Sequence, residues 1–294
     1  MLLSEITTDA SLRVVRNGAF TSLGFVTHRR PQLLVFLNHE EYLPALWDNP
    51  LATCVLTTAA LADRVPSALG VGVADDPQTS FYQLHEFLAR HTTFYGSPRA
   101  THVAPSARIH DSAVVSTSDV HIGADVEIGP QVVILPGVRI GDGSIIRAGT
   151  VLGSEGFQVL MANGASVRIS HAGRVLIGQR VDIHSNTCVD RSVFAETVIG
   201  DDTTIDNLVH VAHDVVIGSN CRIVAHAMLG GSSRIGDGAW IGPSVSISSG
   251  ISVGAGAYVT LGSVVTQDVL PGARVTGNFA IDHAKFLTFL RTIR

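Results

Sequence analysis

Aliphatic residues recur at every sixth position over long stretches of this sequence. From Ile199 the pattern holds for twelve consecutive six-residue units, the last of which begins at Val265. A small or β-branched residue follows four positions after each aliphatic one, beginning with Thr203. An amphipathic helix would show a period of 3.6 residues, so this pattern predicts short strands joined by turns.

A six-residue period of this kind is typical of a parallel β-helix, whose coils bury their aliphatic positions in one shared interior. The same period runs earlier over residues 122–152 and 177–189. Two interruptions break it, over residues 153–176 and 190–198. Breaks in a solenoid usually form loops on one face, often the binding face, and a tolerated surface insertion is the alternative.

The first 98 residues carry no six-residue repeat. They contain strand-like runs such as QLLVFL and TCVLTT, and a helix candidate in FYQLHEFLAR. Near the end of the chain, IDHAKFLTFLRTIR has the pattern of a short amphipathic helix. We therefore expect an N-terminal α/β domain over residues 1–98, a β-helix over 99–276 and a helical tail over 277–294.

Composition narrows the class of protein. Charged residues make up 15% of the chain, and the formal net charge is −5 with scattered basic residues. This argues against a nucleic-acid groove, and no stretch approaches the 18 or so uncharged apolar residues of a membrane span. Cys54, Cys188 and Cys221 lie far apart and outside any CxxC motif. Together with a start, MLLSEITTDA, that lacks signal-peptide features, they indicate reduced thiols in a cytoplasmic protein.

The segment IDNLVHVAHDVVIG, residues 205–218, places polar side chains inside the repeat. Asn207 and His213 stand at the third position of their units and His210 at the sixth. The buried positions are the first and the fifth, so none of the three is expected in the core. A histidine with a pKa near neutrality can act as a general base, which makes His213 the catalytic candidate. A solvated corner histidine is the alternative.

One coil above His213 the repeat reads LGGSS, residues 229–233. The small residues there leave the space over the imidazole open. Their unblocked backbone N–H groups, those of Gly230 and Gly231, are candidates for an oxyanion site. Whether Asp206 or Asp214 orients His213 depends on turn geometry, and both stay open at this point.

The segment IDNLVHVAHDVVIG, together with GSEGF, GRVLIGQRVDI, CVDRSV and LVFLNHEEY, resembles the UDP-3-O-acyl-glucosamine N-acyltransferase family of the lipid A pathway. The resemblance covers nearly the whole chain. It implies a mainly β protein, a left-handed parallel β-helix of hexapeptide repeats with an N-terminal α/β uridine-nucleotide-binding-like domain and a short C-terminal helix. It also implies a homotrimer with active sites in the clefts between subunits.

The resemblance further implies roles for individual residues. His213 would deprotonate the glucosamine amine as it attacks an acyl thioester carried by acyl carrier protein or coenzyme A. Asn207 would lie near the acyl or sugar group, and His210 is a further substrate-binding candidate. Phe36 and Tyr42 would sandwich the uracil ring by stacking, and the alternative is that they pack a small domain. No bound cofactor and no metal are expected.

Three alternatives remain at this point. A relative could transfer a short acyl chain from coenzyme A. A catalytically silent nucleotide-sugar binder is a second reading, because Gly250 stands where the resemblance implies another functional histidine. A zinc enzyme of the carbonic anhydrase type is the third, built on His210 and His213, but the sequence offers no evident third ligand.

Overall fold

The structure, a computed structural model, describes residues 1–9, 11–162, 164–277 and 282–292. The chain divides into two compact units. The first unit comprises Met1–Arg99, Glu155–Gly173 and Ser192–Glu196, and the second comprises Ala100–Ser154, Arg174–Arg191 and Thr197–Arg294. The boundary predicted at residue 98 lies beside the first break between the units. Most of each interruption of the repeat belongs to the first unit. The sequence pattern did not predict this.

The elements of the N-terminal residues come first in chain order. Their strands are β1 (Arg13–Arg16), β2 (Ser22–Leu23), β3 (Leu33–Leu37), β4 (Ala52–Thr57) and β5 (Gly70–Val73). Their α-helices are α1 (Leu43–Trp47) and α2 (Pro77–His91), and their 3-10 helices are Leu3–Glu5, Glu40–Tyr42 and Ala62–Arg64.

The strands of the β-helix follow. Up to the first interruption they are β6 (His102–Val103), β7 (Arg108–Ile109), β8 (Val114–Val115), β9 (His121–Ile122), β10 (Glu127–Ile128), β11 (Val133–Ile134), β12 (Val138–Ile140), β13 (Ile145–Ile146) and β14 (Val151–Glu155). The first interruption holds β15 (Val159–Ala162) and β16 (Ala165–Arg168). Next come β17 (Arg174–Ile177), β18 (Asp182–Ile183), β19 (Cys188–Arg191), β20 (Glu196–Ile199), β21 (Thr204–Ile205), β22 (His210–Val211) and β23 (Val216–Ile217). The last are β24 (Arg222–Ile223), β25 (Met228–Leu229), β26 (Arg234–Ile235), β27 (Trp240–Ile241), β28 (Ser246–Ile247), β29 (Ser252–Val253), β30 (Tyr258–Val259), β31 (Val264–Val265) and β32 (Arg274–Val275), before α3 (His283–Thr292).

The first unit is built on a five-stranded sheet in the order β1-β5-β4-β3-β2, in which only β1 runs antiparallel to its neighbour. Helix α2 is capped at its N-terminus by Asp76, whose carboxylate accepts a hydrogen bond from the Thr79 N–H at 3.0 Å. An acidic N-cap satisfies one of the free N–H groups of the first turn, and Pro77 fits the next position because it needs no N–H partner. The predicted helix in FYQLHEFLAR is therefore confirmed.

The second unit is a parallel β-helix with three faces, which we name in chain order. The first face is β29-β26-β23-β20-β17-β12-β9-β6, the second is β32-β30-β27-β24-β21-β18-β13-β10-β7, and the third is β31-β28-β25-β22-β19-β14-β11-β8. All twelve aliphatic positions from Ile199 to Val265 are buried. Each such side chain stabilises the fold by roughly 1.5–3 kcal/mol through the hydrophobic effect. The prediction of a β-helix from the six-residue period is confirmed.

The corners between faces repeat one backbone arrangement. The corner residue at the fourth position of a six-residue unit commonly has a positive φ, as at Asn220 (58°) and His226 (62°). Its N–H usually donates to a carbonyl of the corner one coil earlier, as from Asn220 to Asp201 at 2.9 Å. This stack of hydrogen bonds holds the corner side chains in a fixed register from coil to coil.

The C-terminal helix predicted from IDHAKFLTFLRTIR is confirmed as α3 over His283–Thr292. Residues 278–281 and 293–294 of the predicted tail lie outside the described residues. In the described part of the chain, no helix is both long and apolar enough to cross a membrane.

One tyrosine hydroxyl and three cysteine thiols that are shielded from water should make the folded state less stable at alkaline pH. Burial of the hydroxyl raises the pKa of Tyr95 well above its ordinary value of about 10, and burial likewise raises the pKa of the Cys54, Cys188 and Cys221 thiols. The folded state therefore binds these protons more tightly than the unfolded chain does. Their contribution to stability is complete below about pH 8 and is lost as the pH rises further, first for the thiols and then for the phenol.

We predict that Tyr95→Phe weakens this alkaline loss, because the unfolded variant no longer gains a phenolate. The wild-type protein should lose up to about 1.4 kcal/mol more per pH unit above pH 10 than the variant does. Urea unfolding at pH 8, 10 and 11 measures the difference. Parallel pH profiles for the two proteins would contradict the prediction.

Candidate functional site

His213 lies at the corner where the chain turns from the third face to the first, between β22 and β23. Both interruptions leave the β-helix at the same boundary, after β14 and after β19, and the chain re-enters the first face at β17 and β20. The expectation that the breaks share one side of the solenoid is met by this chain path. The first interruption begins two coils before the coil of His213, and the second begins one coil before it.

The imidazole of His213 is paired with the carboxylate of the next residue. Its Nδ1 lies 2.9 Å from Oδ2 of Asp214, and the side chains of His213 and Asp214 are 13% and 2% exposed. A carboxylate only accepts hydrogen bonds, so a neutral imidazole in this pair carries its proton on Nδ1 and its lone pair on Nε2. The site therefore presents a basic nitrogen whose tautomer is set by Asp214.

Asp206, the other candidate for orienting His213, is used at a different corner. Its Oδ1 accepts hydrogen bonds from the N–H and the side-chain amide of Asn207, both at 2.7 Å. Its Oδ2 accepts from the Ala225 N–H at 3.2 Å. Asp206 stabilises the turn between the second and third faces, and the question that the sequence left open is answered in favour of Asp214.

Gly231 lies directly over the His213 ring, as the 18-residue coil spacing predicts. A Cβ atom at position 231 would lie 2.8 Å from Cε1 and 2.9 Å from Nε2 of the imidazole. The positive φ of this corner belongs to Ser232, at 62°. Glycine is thus required at position 231 for space rather than for backbone conformation, because a side chain there would collide with the imidazole.

The two oxyanion candidates differ in the state of their N–H groups. The Gly230 N–H donates to the Ile247 carbonyl at 2.9 Å as part of the third-face ladder. The prediction of Gly230 as an oxyanion donor is therefore corrected, because an N–H that already donates within the ladder has no second hydrogen to donate. Among the hydrogen bonds of the described residues, the Gly231 N–H has no acceptor, so it alone of the pair can donate to a ligand.

Asn207 lies at the corner between the second and third faces, so the whole width of the third face separates it from the His213 corner. Its side-chain carbonyl accepts a hydrogen bond from the Ser185 N–H at 3.1 Å, and its amide donates to Asp206. Within one chain the structure does not bring Asn207 and His213 together.

His210 points outward from β22, on the third face between these two corners, with a side chain that is 46% exposed. Its Nε2 lies 3.7 Å from Oδ2 of Asp190. The Asp190 carboxylate is buried and accepts a hydrogen bond from the Ser154 hydroxyl at 2.6 Å. The sequence analysis missed Asp190, although it occurs in the CVDRSV segment directly after a buried aliphatic position.

The two histidines of the sequence-based zinc alternative have different partners. His210 pairs with Asp190 on a face, whereas His213 pairs with Asp214 at a corner. Within a single chain, over the residues that the structure describes, no group of three or more His, Cys, Asp or Glu side chains could hold a metal ion.

In the first unit, Phe36 belongs to an aromatic cluster. Its ring centroid lies 5.0 Å from that of Phe81 and 6.0 Å from that of Tyr82, both on α2. Tyr42, at the end of the 3-10 helix that follows β3, is 45% exposed. Phe36 is partly buried against this cluster, and the ring of Tyr42 is exposed to solvent.

Family models match the repeat directly. A model described as bacterial transferase hexapeptide (six repeats) matches residues 119–154 and 196–231, and one described as hexapeptide repeat of succinyl-transferase matches residues 233–267. These matches cover the coil that carries His213. The second unit is therefore a left-handed parallel β-helix of hexapeptide repeats, as the resemblance implied.

Curated relatives decide the family. The UDP-3-O-acylglucosamine N-acyltransferase of Delftia acidovorans is 33% identical over 260 residues, which cover 85% of this chain and 76% of that protein. The chain belongs to the UDP-3-O-acylglucosamine N-acyltransferase family. A relative of that name from Caulobacter vibrioides is 45% identical over 92 residues, 31% of this chain. That second match spans only 27% of the relative's own length.

Among solved structures, the UDP-N-acetylglucosamine O-acyltransferase of Moraxella catarrhalis is similar to this chain with a TM-score of 0.41 and 20% identity. The match covers 65% of this chain and 76% of that one.

We predict that Gly231→Ala moves the His213 ring, because the added methyl group would approach the imidazole to less than 3 Å. Overpacking of this kind costs about 1–3 kcal/mol of stability. The imidazole ¹⁵N shifts of His213 report the displacement by NMR. Gly238→Ala is a control at another corner, where a Cβ has no neighbour within 4 Å, and it should leave those shifts unchanged. Identical His213 shifts in wild type and Gly231→Ala would contradict the prediction.

Proposed function

We propose that the protein transfers an acyl group from an acyl thioester to the amine of a UDP-linked, glucosamine-type sugar, with His213 as general base. The observation that carries this proposal is the His213–Asp214 pair, whose imidazole ring lies under Gly231. Membership of the UDP-3-O-acylglucosamine N-acyltransferase family supports the reaction class and the acceptor.

The reaction follows from these groups. The sugar amine attacks the thioester carbonyl carbon, a C–N bond forms, and Nε2 of His213 takes the proton that the nitrogen loses. The Gly231 N–H donates a hydrogen bond to the oxyanion of the tetrahedral intermediate. When the C–S bond breaks, the imidazolium returns its proton to the leaving thiolate. The products are an amide and a free thiol, and His213 is regenerated.

Asp214 supports both halves of this cycle. Its carboxylate keeps the neutral imidazole in the Nδ1–H tautomer before the attack, and it stabilises the imidazolium that forms afterwards. Because Asp214 is buried, water screens this interaction weakly.

The remaining candidates would bind substrate. The exposed ring of Tyr42 and the partly buried ring of Phe36 would stack on the uracil base. His210, half-exposed and backed by the buried Asp190 carboxylate, would donate a hydrogen bond to the sugar or the donor. Asn207 would contact substrate from the opposite edge of the third face. The acyl donor is a thioester of acyl carrier protein or of coenzyme A, and no resident cofactor is needed.

A homotrimer fits the surface of the β-helix. The outward side of the third face exposes apolar side chains of several coils, namely Val114, Met228 and Val264. A second copy of the chain would cover this surface, and clefts between subunits would place groups from two chains beside each His213. Sedimentation equilibrium should give three times the chain mass of 31.0 kDa. A mass equal to one chain would contradict the trimer.

The activity is tested by following thiol release and amide formation with both thioester donors, with and without UDP-amino sugars. Thiol release should require the sugar amine. His213→Ala should reduce the rate by about 10²–10⁴-fold, the usual contribution of a positioned general base. His121→Ala, which removes an exposed histidine on the first face, is the matched control and should keep the wild-type rate.

The donor that turns over faster distinguishes an acyl-carrier-protein enzyme from a short-chain coenzyme A enzyme. UDP-sugar binding without turnover of any donor would contradict the proposal and favour a nucleotide-sugar binder. An unchanged rate in His213→Ala would remove His213 as the base.

A further inference from the structure

The corner that carries His213 departs from the hydrogen-bond pattern of most corners. At most of them, the residue with positive φ donates its N–H to a carbonyl one coil earlier, as from Ser232 to His213 and from Gly250 to Gly231, both at 2.9 Å. Asp214 also has a positive φ, 62°, but its N–H donates to the side-chain hydroxyl of Thr197 at 3.0 Å.

The second interruption of the repeat explains this departure. One coil before His213 the chain leaves the β-helix after Arg191 and re-enters it at Thr197. The regular corner carbonyl is therefore replaced at this level by a hydroxyl. The same replacement occurs near the N-terminal end of the β-helix, where Asp125 and Gln131 donate to the hydroxyls of Ser106 and Ser112.

Thr197 also differs from three other buried hydroxyls that stand at the fifth position of their units. Those of Thr203, Thr187 and Ser144 accept hydrogen bonds from the fifth-position N–H groups of the next coil, at 3.1, 3.2 and 3.0 Å. Thr197, fully buried at the same position of its own unit, accepts from the fourth-position residue instead. That residue is Asp214, whose carboxylate holds the imidazole.

We propose that Thr197 is a positioning residue for the His213–Asp214 pair. A positive φ is uncommon for a residue other than glycine and persists only where its surroundings hold it. The Thr197 hydroxyl fixes the N–H of Asp214 and with it the direction of the carboxylate that accepts from Nδ1 of His213. The proposal rests on the proposed function, since a fixed imidazole matters most when it acts as a base.

Three variants test this role. Thr197→Val keeps the volume and removes the acceptor, and Thr197→Ser restores it. Thr203→Val makes the same change at the corner between the first and second faces, where the hydroxyl accepts from Cys221. Both valine variants should lower the Tm by similar amounts, because each leaves one buried N–H without an acceptor. If Thr197→Val does not fold, Thr197→Cys retains the volume with a weaker acceptor and takes its place.

The kinetic outcome separates positioning from stability. Thr197→Val should lower kcat by about tenfold or more, part of the roughly 10²–10⁴-fold that a positioned base supplies, with KM for both substrates little changed. Thr203→Val should keep the wild-type kcat, and Thr197→Ser should recover most of it. Equal kcat values for the two valine variants would overturn the proposal.

A measurement without substrate keeps this proposal separate from the proposed function. Imidazole ¹⁵N NMR should show neutral His213 as the Nδ1–H tautomer in wild type, Thr197→Ser and Thr203→Val, with the Nε2–H tautomer populated in Thr197→Val. The same tautomer in Thr197→Val as in wild type would overturn the role of Thr197. A wild-type protein that forms no amide but shows the expected tautomer change would refute the proposed function alone.

Discussion

The hydrogen-bonded stacking of six-residue units is the constraint on which the rest of the second unit depends. Each coil buries its aliphatic positions in one interior, and each corner is tied to the corner before it by backbone hydrogen bonds. Because side chains at equivalent positions are stacked at one strand spacing, about 4.8 Å, a residue 18 positions later lies directly over its predecessor. Gly231 lies directly over the His213 ring for this reason.

The same constraint explains why the site depends on small details. A corner residue is held by one or two hydrogen bonds, so a single carbonyl or hydroxyl decides its orientation. At the His213 corner the regular carbonyl is replaced by the Thr197 hydroxyl, and the carboxylate of Asp214 is nearly inaccessible to solvent. A buried carboxylate needs partners, since an unpaired charge in a low-dielectric interior is costly. Its pairing with the imidazole therefore contributes to stability as well as to the proposed chemistry.

The periodic features of the molecule could be predicted from the sequence. The six-residue pattern predicts the β-helix, the inward positions and the corner position of His213, because strand and corner positions repeat without drift. The choice between Asp206 and Asp214 could not be made, since both are acidic residues near a corner and only turn geometry separates them. The N–H of Gly230 was counted as available because the sequence does not show that it falls within the third-face ladder. Thr197 was missed because an insertion changes which atom lies below Asp214, and a repeat pattern does not extend across an insertion.

In the proposed mechanism, the proton of the acceptor amine passes to an imidazole whose tautomer is fixed by Asp214. The most direct measurement is the rate at which wild type and Asp214→Asn form the N-acylated UDP-sugar, followed by mass spectrometry. An amide can hydrogen-bond His213 in the wrong tautomer, and the corresponding Asp→Asn change in a serine protease lowers kcat by about 10⁴-fold. We predict a large loss of amide formation in Asp214→Asn with a folded protein. Amide formation at the wild-type rate would contradict the account.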